Sequence, residues 1–297
     1  MKDHNLVATA CGDYALLDSG ENMKLERFGN IILARPETQA LWRTLRPELW
    51  ETAHATFAFK DKKGSWRMHK PVPDSWVVVR TGLPLIARLT GFKHTGIFPE
   101  QAPNWEWVEE RVRVLRRRVG TVSERAEEAR ELAILNLFGY TGAATLAAAR
   151  AGAFVTHVDA SKQSLDWAHE NARLSQIPED RIRWILDDVV AFAKREARRG
   201  ARYEGVILDP PAFGRGAKGE VWKIEENLSS LLQTLGALLS DAPGSFFLVN
   251  GYAAGYASRS FAQAVESAFP SIALGTSGHG EYGELHIKET ASERVVP

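Results

Sequence analysis

The stretch AILNLFGYTGAATLAAARAGAFVTHVD, residues 133–159, decides how the chain is read. An apolar run, AILNLF, stops at GYTG; an alanine-rich segment follows, and a second apolar run, AFVTHV, ends in Asp159. A run of about five or six apolar residues bounded by glycine fits a strand covered on both faces. Residues 143–150 combine high helix propensity with small side chains, so a helix there can lie close on a sheet. The order is strand, glycine turn, helix, strand, carboxylate.

Such a unit makes a nucleoside site. Backbone N–H groups at the turn and helix start face the ligand, while a carboxylate at the end of the next strand accepts from ribose hydroxyls. The glycines leave the nucleoside open. A dinucleotide turn needs G-x-G-x-x-G, whereas only Gly139 and Gly142 occur here, with Tyr140 and Thr141 between them and no third glycine near Thr145. A ligand without a pyrophosphate, such as S-adenosylmethionine, asks less of the turn. An ordinary βαβ turn with no ligand is the bland alternative.

Beyond residue 159 strand and helix signals alternate, which predicts a mostly parallel sheet with helices on both faces. Residues 161–176 read as a helix capped by Ser161, IRWIL (182–186) as a strand ending at Asp187 and Asp188, and AFAKREARR (191–199) as a helix. YEGVIL (203–208) reads as the strand before Asp209-Pro210-Pro211, LSSLLQTLGALL (228–239) as a helix, SFFLVN (245–250) as a fifth strand, and SFAQAVESAF (260–269) as a helix. With IALGT (272–276) and ELHIK (284–288) closing it as a hairpin, a doubly wound, seven-stranded sheet is expected. GRGAKGE (214–220) is glycine-rich and basic, and reads as a mobile loop.

The first hundred residues differ in texture. YALLD (14–18), NIILAR (30–35), ATFAFK (55–60), SWRMH (65–69), SWVVVR (75–80) and LPLIARL (83–89) are short runs rich in β-branched and aromatic residues, separated by glycine, proline and charge. Residues 61–64, Asp-Lys-Lys-Gly, suit a hairpin turn. This region, 1–98, is read as a β-rich domain on the substrate side, and 99–297 as the nucleoside-binding domain. Trp42, Trp50, Trp66 and Trp76 fall in the first, where core packing is the favoured reading over a base-stacking platform. A helix beginning near Asn104, read as its N-cap, carries a buried stripe of Trp105, Val108, Val112, Leu115 and Val119. Its arginines, Arg111, Arg113 and 116–118, read as a solvated face more readily than as a phosphate-binding ridge.

Composition narrows the class. At 297 residues and 32.9 kDa, with 44% hydrophobic and 25% charged residues, the chain is ordinary globular material with room for two cores. Its start has no long apolar segment, and a cytoplasmic protein without a membrane span is expected. One cysteine, Cys11, excludes an intrachain disulfide, and eight histidines without ligand spacing offer no metal centre. A formal net charge of zero weighs against a nucleic-acid partner unless charge is locally concentrated.

In an open parallel sheet, ligands bind beyond the carboxyl ends of the strands. Four strand ends deliver polar groups there: the Gly139 turn, Asp159, Asp188 and Asp209-Pro210-Pro211. An acid after the second strand can hold a ribose, and one after the third can accept from an adenine amino group, although each acid alone is as readily a helix cap. The proline pair lacks N–H donors and fixes the backbone, so Asp209 and the carbonyls beside it are presented to a substrate amino or ring N–H. Phe213 is placed to stack on a planar substrate, or to be buried in a rigid exit from the sheet.

These segments, NLFGYTG, HVDAS, LDDV and LDPPAFGRG, resemble motifs of class I S-adenosylmethionine-dependent methyltransferases. HTGIFPEQAPNW (94–105) together with DPPAF resembles more narrowly the bacterial group that includes 23S ribosomal RNA large-subunit methyltransferases, and residues 16–37 echo it loosely. The resemblance implies S-adenosylmethionine as cofactor and ribosomal or other RNA as substrate. It implies that Phe138, Gly139 and Gly142 contact the methionine part, that Asp159 holds the ribose, and that Asp188 meets the adenine. Tyr140, Thr141, Ala160, Ser161 and Asp187 complete that lining, with Asp209 at its edge, and Phe98 to Gln101 help cover it. Asp209, Pro210, Pro211 and Phe213 face the substrate.

One departure matters. Relatives that make 5-methylcytosine attack the ring with a cysteine thiolate, whereas the fifth strand here ends in Asn250. Methylation of nitrogen, or of another atom already nucleophilic, is therefore expected. Rival readings are a methyltransferase of small molecules or protein side chains, a nicotinamide-dependent oxidoreductase, and a non-catalytic RNA-binding module.

Overall fold

The structure, a computed structural model, describes residues 1–60, 63–122, 131–216, 219–252, 255–269 and 280–296. Asp61 and Lys62 of the expected hairpin turn, Lys218 of the basic loop, the IALGT segment and the side chain of Val119 lie outside the described residues. The chain forms two compact units. The smaller comprises Asn5–Asn104 and Glu284–Pro297, and the larger comprises Met1–His4 and Trp105–Gly283.

The smaller unit is built on an antiparallel meander of β1 (Tyr14–Gly20), β2 (Met23–Phe28) and β3 (Ile31–Pro36), extended by β4 (Ala55–Lys60) and β5 (Lys63–Met68) in the order β1-β2-β3-β4-β5. The register Lys60↔Lys63 makes the β4–β5 connection shorter than expected, and Lys63 and Gly64 belong to the strand. A separate hairpin pairs β6 (Trp76–Arg80) with β7 (Leu83–Ala87). All four indoles of this region donate within it: Trp42 to the Ser19 carbonyl, Trp50 to Asp18, Trp66 to the Thr90 carbonyl and Trp76 to the Phe28 carbonyl. That is the packing role the sequence favoured.

Strand β2 went unread because its residues alternate with charge. Glu26 is fully buried there, paired in fork geometry with Arg35 at 2.7 and 2.8 Å and accepting from the Tyr14 hydroxyl at 2.8 Å. Burial alone would raise the Glu26 carboxyl, but Arg35 and Lys24 outweigh it, and the group ionises below its ordinary range. A buried charge survives only when so partnered.

Helix α1 (Ala102–Val122), preceded by a 3-10 turn at Pro99–Gln101, carries the chain into the larger unit, which resumes at Trp105. Asn104 is therefore inside the helix rather than at its N-cap, and its amide donates to the Gln101 side chain at 2.8 Å. Trp105, Val108, Val112 and Leu115 are buried as the stripe requires. Arg113 pairs with Glu109, Arg117 with Glu110, and Arg116 donates to the Ala151 carbonyl, so these three cations are engaged locally.

There follow β8 (Ala133–Leu137), α2 (Ala143–Arg150), β9 (Phe154–Asp159), α3 (Lys162–Leu174), β10 (Ile182–Leu186), α4 (Val189–Arg198) and β11 (Gly205–Leu208). Next come β12 (Phe213–Arg215), β13 (Val221–Lys223), α5 (Ile224–Gly236), β14 (Phe246–Val249) and α6 (Ser258–Ala268). Strands order as β10-β9-β8-β11-β14, all parallel, which is a doubly wound α/β arrangement. Leu146, Ala147 and Ala148 of α2 are fully buried, the close helix-on-sheet packing that alanine permits.

Among the described residues this sheet has five strands where seven were expected. The terminal strand β15 (Leu285–Lys288) does not join it; it pairs with Leu6–Ala8 and with β16 (Val295–Val296) in the smaller unit. Of the GRGAKGE segment, Gly214 and Arg215 belong to β12, which pairs antiparallel with β13, and the Gly216 amide donates to the Glu220 carbonyl at 2.9 Å.

Candidate active site

The parallel register places Leu137, Val158, Leu208 and Val249 level with one another across the sheet, with Asp159 level with Leu186. Backbone pairing then continues one or two residues past the strands. Gly139 donates to the Val158 carbonyl, Asp187 to that of Asp159, Asp209 to that of Leu137 and Asn250 to that of Leu208. Consequently the glycine turn, Asp159, Asp187, Asp209 and Asn250 form one row along the carboxyl rim.

The glycine turn is shaped by what lies under it. Phe138 and Tyr140 have φ of 56° and 49°, and Gly142, the N-cap of α2, has φ of 89°. Such backbone is strained for side-chain-bearing residues and free for glycine. Gly139 answers a different need: a Cβ there would sit 2.4 Å from Cε1 of the His157 ring. The His157 imidazole is itself fixed in a buried relay, in which the Asn136 amide donates to the Thr145 hydroxyl at 2.8 Å and that hydroxyl is 2.9 Å from Nδ1 of His157. Trp184 flanks the ring with centroids 4.9 Å apart. Burial holds His157 neutral, with its pKa lowered to about 3. The Thr145 hydroxyl has two lone pairs and one proton, so it can donate to Nδ1 or accept from it according to the imidazole tautomer.

Asp159 fastens the turn to the second strand end. One carboxylate oxygen accepts the Tyr140 amide and the other the Ser161 amide, both at 2.8 Å. Burial raises its pKa despite those two bonds. Ser161 caps α3 through the Ser164 amide, with Ala160 half-buried between it and Asp159. Thr141 is buried, and its carbonyl accepts from Asn171 at 2.9 Å.

At the third strand end the two acids divide their work. Asp188 caps α4, accepting the Ala191 amide at 2.8 Å, while Asp187 pairs with Arg195 and accepts the Asp188 amide. The alternative of a helix cap thus describes Asp188, without exhausting the lone pairs of its carboxylate.

Past the fourth strand Pro210 is buried and Pro211, Ala212 and Phe213 are exposed, Phe213 by 53%. The Pro211 carbonyl is not presented as expected. It accepts the Trp222 indole N–H at 2.6 Å, and that same indole lies 5.0 Å from the Phe138 ring. Trp222 therefore ties the proline exit to the glycine turn. Sequence reading missed it, because a lone tryptophan after a basic loop has no periodic signal; only the β12–β13 pairing brings it opposite Gly214. Arg215 lies over the Phe213 ring at 5.8 Å. Phe98 and Gln101 belong to the smaller unit, where the Phe98 ring is 5.0 Å from that of His94.

The rim suits an adenosyl ligand by the chemistry of its donors. Ribose hydroxyls and an adenine amino group offer hydrogens, and a carboxylate oxygen that takes one backbone amide, as in Asp159 and Asp188, has a further lone pair.

Residues 37–273 match the model of a family described as S-adenosylmethionine-dependent methyltransferase. A crystal structure of the SAM-dependent methyltransferase from Agrobacterium tumefaciens is 37% identical, with a TM-score of 0.85, and the alignment covers 99% of this chain and 91% of that one. Ribosomal RNA large subunit methyltransferase K of Neisseria meningitidis is 27% identical over 74% of this chain and 61% of its own length. Ribosomal RNA large subunit methyltransferase K/L of Shewanella frigidimarina is 32% identical over 81% of this chain and 32% of its own. The chain thus spans under two thirds of the length of these curated relatives. Among the described residues no helix is long and apolar enough to cross a membrane. With the family model spanning most of the chain and a solved relative that matches nearly all of it, this chain belongs to the S-adenosylmethionine-dependent methyltransferases.

Proposed function

We propose that this protein methylates a base in ribosomal or other RNA, at a nitrogen or another atom already nucleophilic. The observation that carries the reading is the placement of Asp209-Pro210-Pro211 on the same rim as the glycine turn and Asp159, joined to it through the Asp209 amide on Leu137 and through Trp222. Support for RNA comes from the curated relatives, which are named as ribosomal RNA methyltransferases.

Bound S-adenosylmethionine supplies an electrophilic methyl group. Asp159 and Asp188 accept from its hydroxyl and amino donors, and Phe138 to Gly142 line its other end. Ala160, Ser161 and Asp187 border it. Asp209 accepts an N–H of the acceptor base and orients the lone pair of that nitrogen; as the N–CH3 bond forms the S–CH3 bond breaks, the sulfur leaving as a neutral thioether, and the methylated nitrogen then gives its proton to Asp209. Phe213 stacks on the base, held from behind by Arg215. The rate gain is then one of positioning and exclusion of water, and a general acid has no part in it.

Comparing modified nucleosides in total RNA from cells with and without this protein tests the reading. One N-methylated nucleoside should disappear. An unchanged RNA profile would sink the RNA assignment, and a missing 5-methylcytosine would sink the nitrogen assignment.

A further inference from the structure

The smaller unit holds a second place with the features of a binding site. A cleft of about 530 Å3 is lined by Phe57, Phe59, Lys63, Phe92, Lys93 and His94, with Gly64 packed under the Phe57 ring and Gly91 beside open space. That volume lies within the usual range for a small ligand. Strand periodicity builds one wall. Phe57 and Phe59 share a face of β4, the first buried and the second 63% exposed, with their rings edge-to-face at 5.4 Å and Trp66 of β5 edge-on to Phe57 at 5.2 Å.

The opposite wall is a turn at residues 90–94, and it is well braced. The Thr90 carbonyl accepts the Trp66 indole at 2.9 Å, and the Thr90 hydroxyl accepts the Phe92 amide and donates to the His94 carbonyl, both at 3.1 Å. This bracing holds Phe92 out at 73% exposure. Each phenylalanine left in water forgoes the stabilisation that burial gives, and a hydrogen-bonded turn that maintains such exposure is suited to a ligand.

Charge says which ligand. Among the described residues no carboxylate lines the cleft, whereas Lys63 is exposed and Lys93, with Glu37 among the charges that act on it, donates to the Pro36 carbonyl at 3.3 Å and keeps two ammonium protons to offer. His94 is neutral, its pKa lowered to about 4 by burial and by the neighbouring Arg35, Lys93 and Lys24, so it offers hydrogen bonds without charge. Flat apolar faces beside ammonium groups match a nucleobase attached to a phosphate.

We propose that this cleft holds one or two unpaired nucleotides of the RNA substrate, with Phe59 and Phe92 stacking on bases and Lys63 and Lys93 contacting phosphates. The inference rests on the RNA reading above and adds to it a docking site on the smaller unit.

The test measures binding of the full chain to short unpaired oligoribonucleotides by fluorescence anisotropy across a salt series. Phe59→Ala and Phe92→Ala should each weaken binding by about tenfold, with Phe92→Trp retaining it. Lys63→Glu should reduce the salt slope by about one. Calorimetric titration with S-adenosylmethionine should be unchanged in all four, which shows that the fold is intact. Variants that bind the oligonucleotides as tightly as the parent overturn the proposal while leaving the RNA reading standing. A parent that binds none overturns the cleft, and nucleoside profiling of total RNA then judges the RNA reading separately. A concentration-dependent dimer that Phe92→Ala dissolves, with RNA affinity unchanged, overturns it in favour of a contact between copies of this chain.

Discussion

At the scale of single residues, the neutral buried histidines make stability depend on pH in a definite direction. In the unfolded chain a histidine binds its proton below about pH 6.5, whereas folded His157 and His94 stay neutral until pH falls to about 3 and about 4. Between those limits the unfolded state holds more protons, so stability falls with falling pH by up to about 1.4 kcal/mol per unit for each residue. Asp159, whose carboxyl is raised, opposes the trend at the acid end, and the comparison with a variant therefore carries the test. Chemical denaturation from pH 7 to pH 4.5 should show a shallower slope in His157→Phe than in the parent. Equal slopes would mean that His157 is charged or exposed. None of this was legible locally: HVDAS points to Asp159, while the relay through Thr145 and Asn136 exists only because two strands and a helix meet.

Among elements, α4 separates two jobs that one acid can hold. Asp188 caps the helix through the Ala191 amide, and its replacement by alanine should cost about 1 kcal/mol of stability. Serine at the same position restores the cap without the second carboxylate oxygen. If Asp188 also meets the adenine, Asp188→Ser should recover the melting temperature of the parent and still bind S-adenosylmethionine about tenfold more weakly. Recovery of both would leave Asp188 as a cap alone. Helices and strands were largely readable, since apolar runs and alanine spacing act over a few neighbours. Residues 213–223 were not, because glycine and charge conceal a hairpin whose pairing is set by Trp222 reaching the Pro211 carbonyl.

Across the whole molecule, the end of the chain completes the smaller unit. Arg294 pairs with Asp18 at 2.7 Å and with Glu289 at 2.9 Å, and both acids are almost wholly buried. Burial alone would raise the Asp18 carboxyl, but hydrogen bonds from the Trp50 indole and the Arg46 and Leu45 amides outweigh it, so the group ionises below its ordinary range. Its stabilising effect is therefore present above about pH 4 and lost as pH falls through the lowered value. Arg294→Ala strips a cation from two buried carboxylates and should cost roughly 3–5 kcal/mol at neutral pH. Thermal unfolding measures this. A loss under about 1 kcal/mol would show that water already satisfies those acids.

Taken by itself, the sequence determined the alternation of strand and helix from residue 133 on, the glycine turn, and the acids and prolines at the strand ends. Those features depend on side-chain volume, backbone freedom and hydrogen-bonding capacity, which are properties of each residue and its neighbours. Only tertiary structure decided where the last strand goes, which carboxylates serve as caps, and how the charged strand at Met23–Phe28 can be buried. The reason is electrostatic: a charge costs little or much according to its partner, and the partner of Asp18 lies 276 residues away.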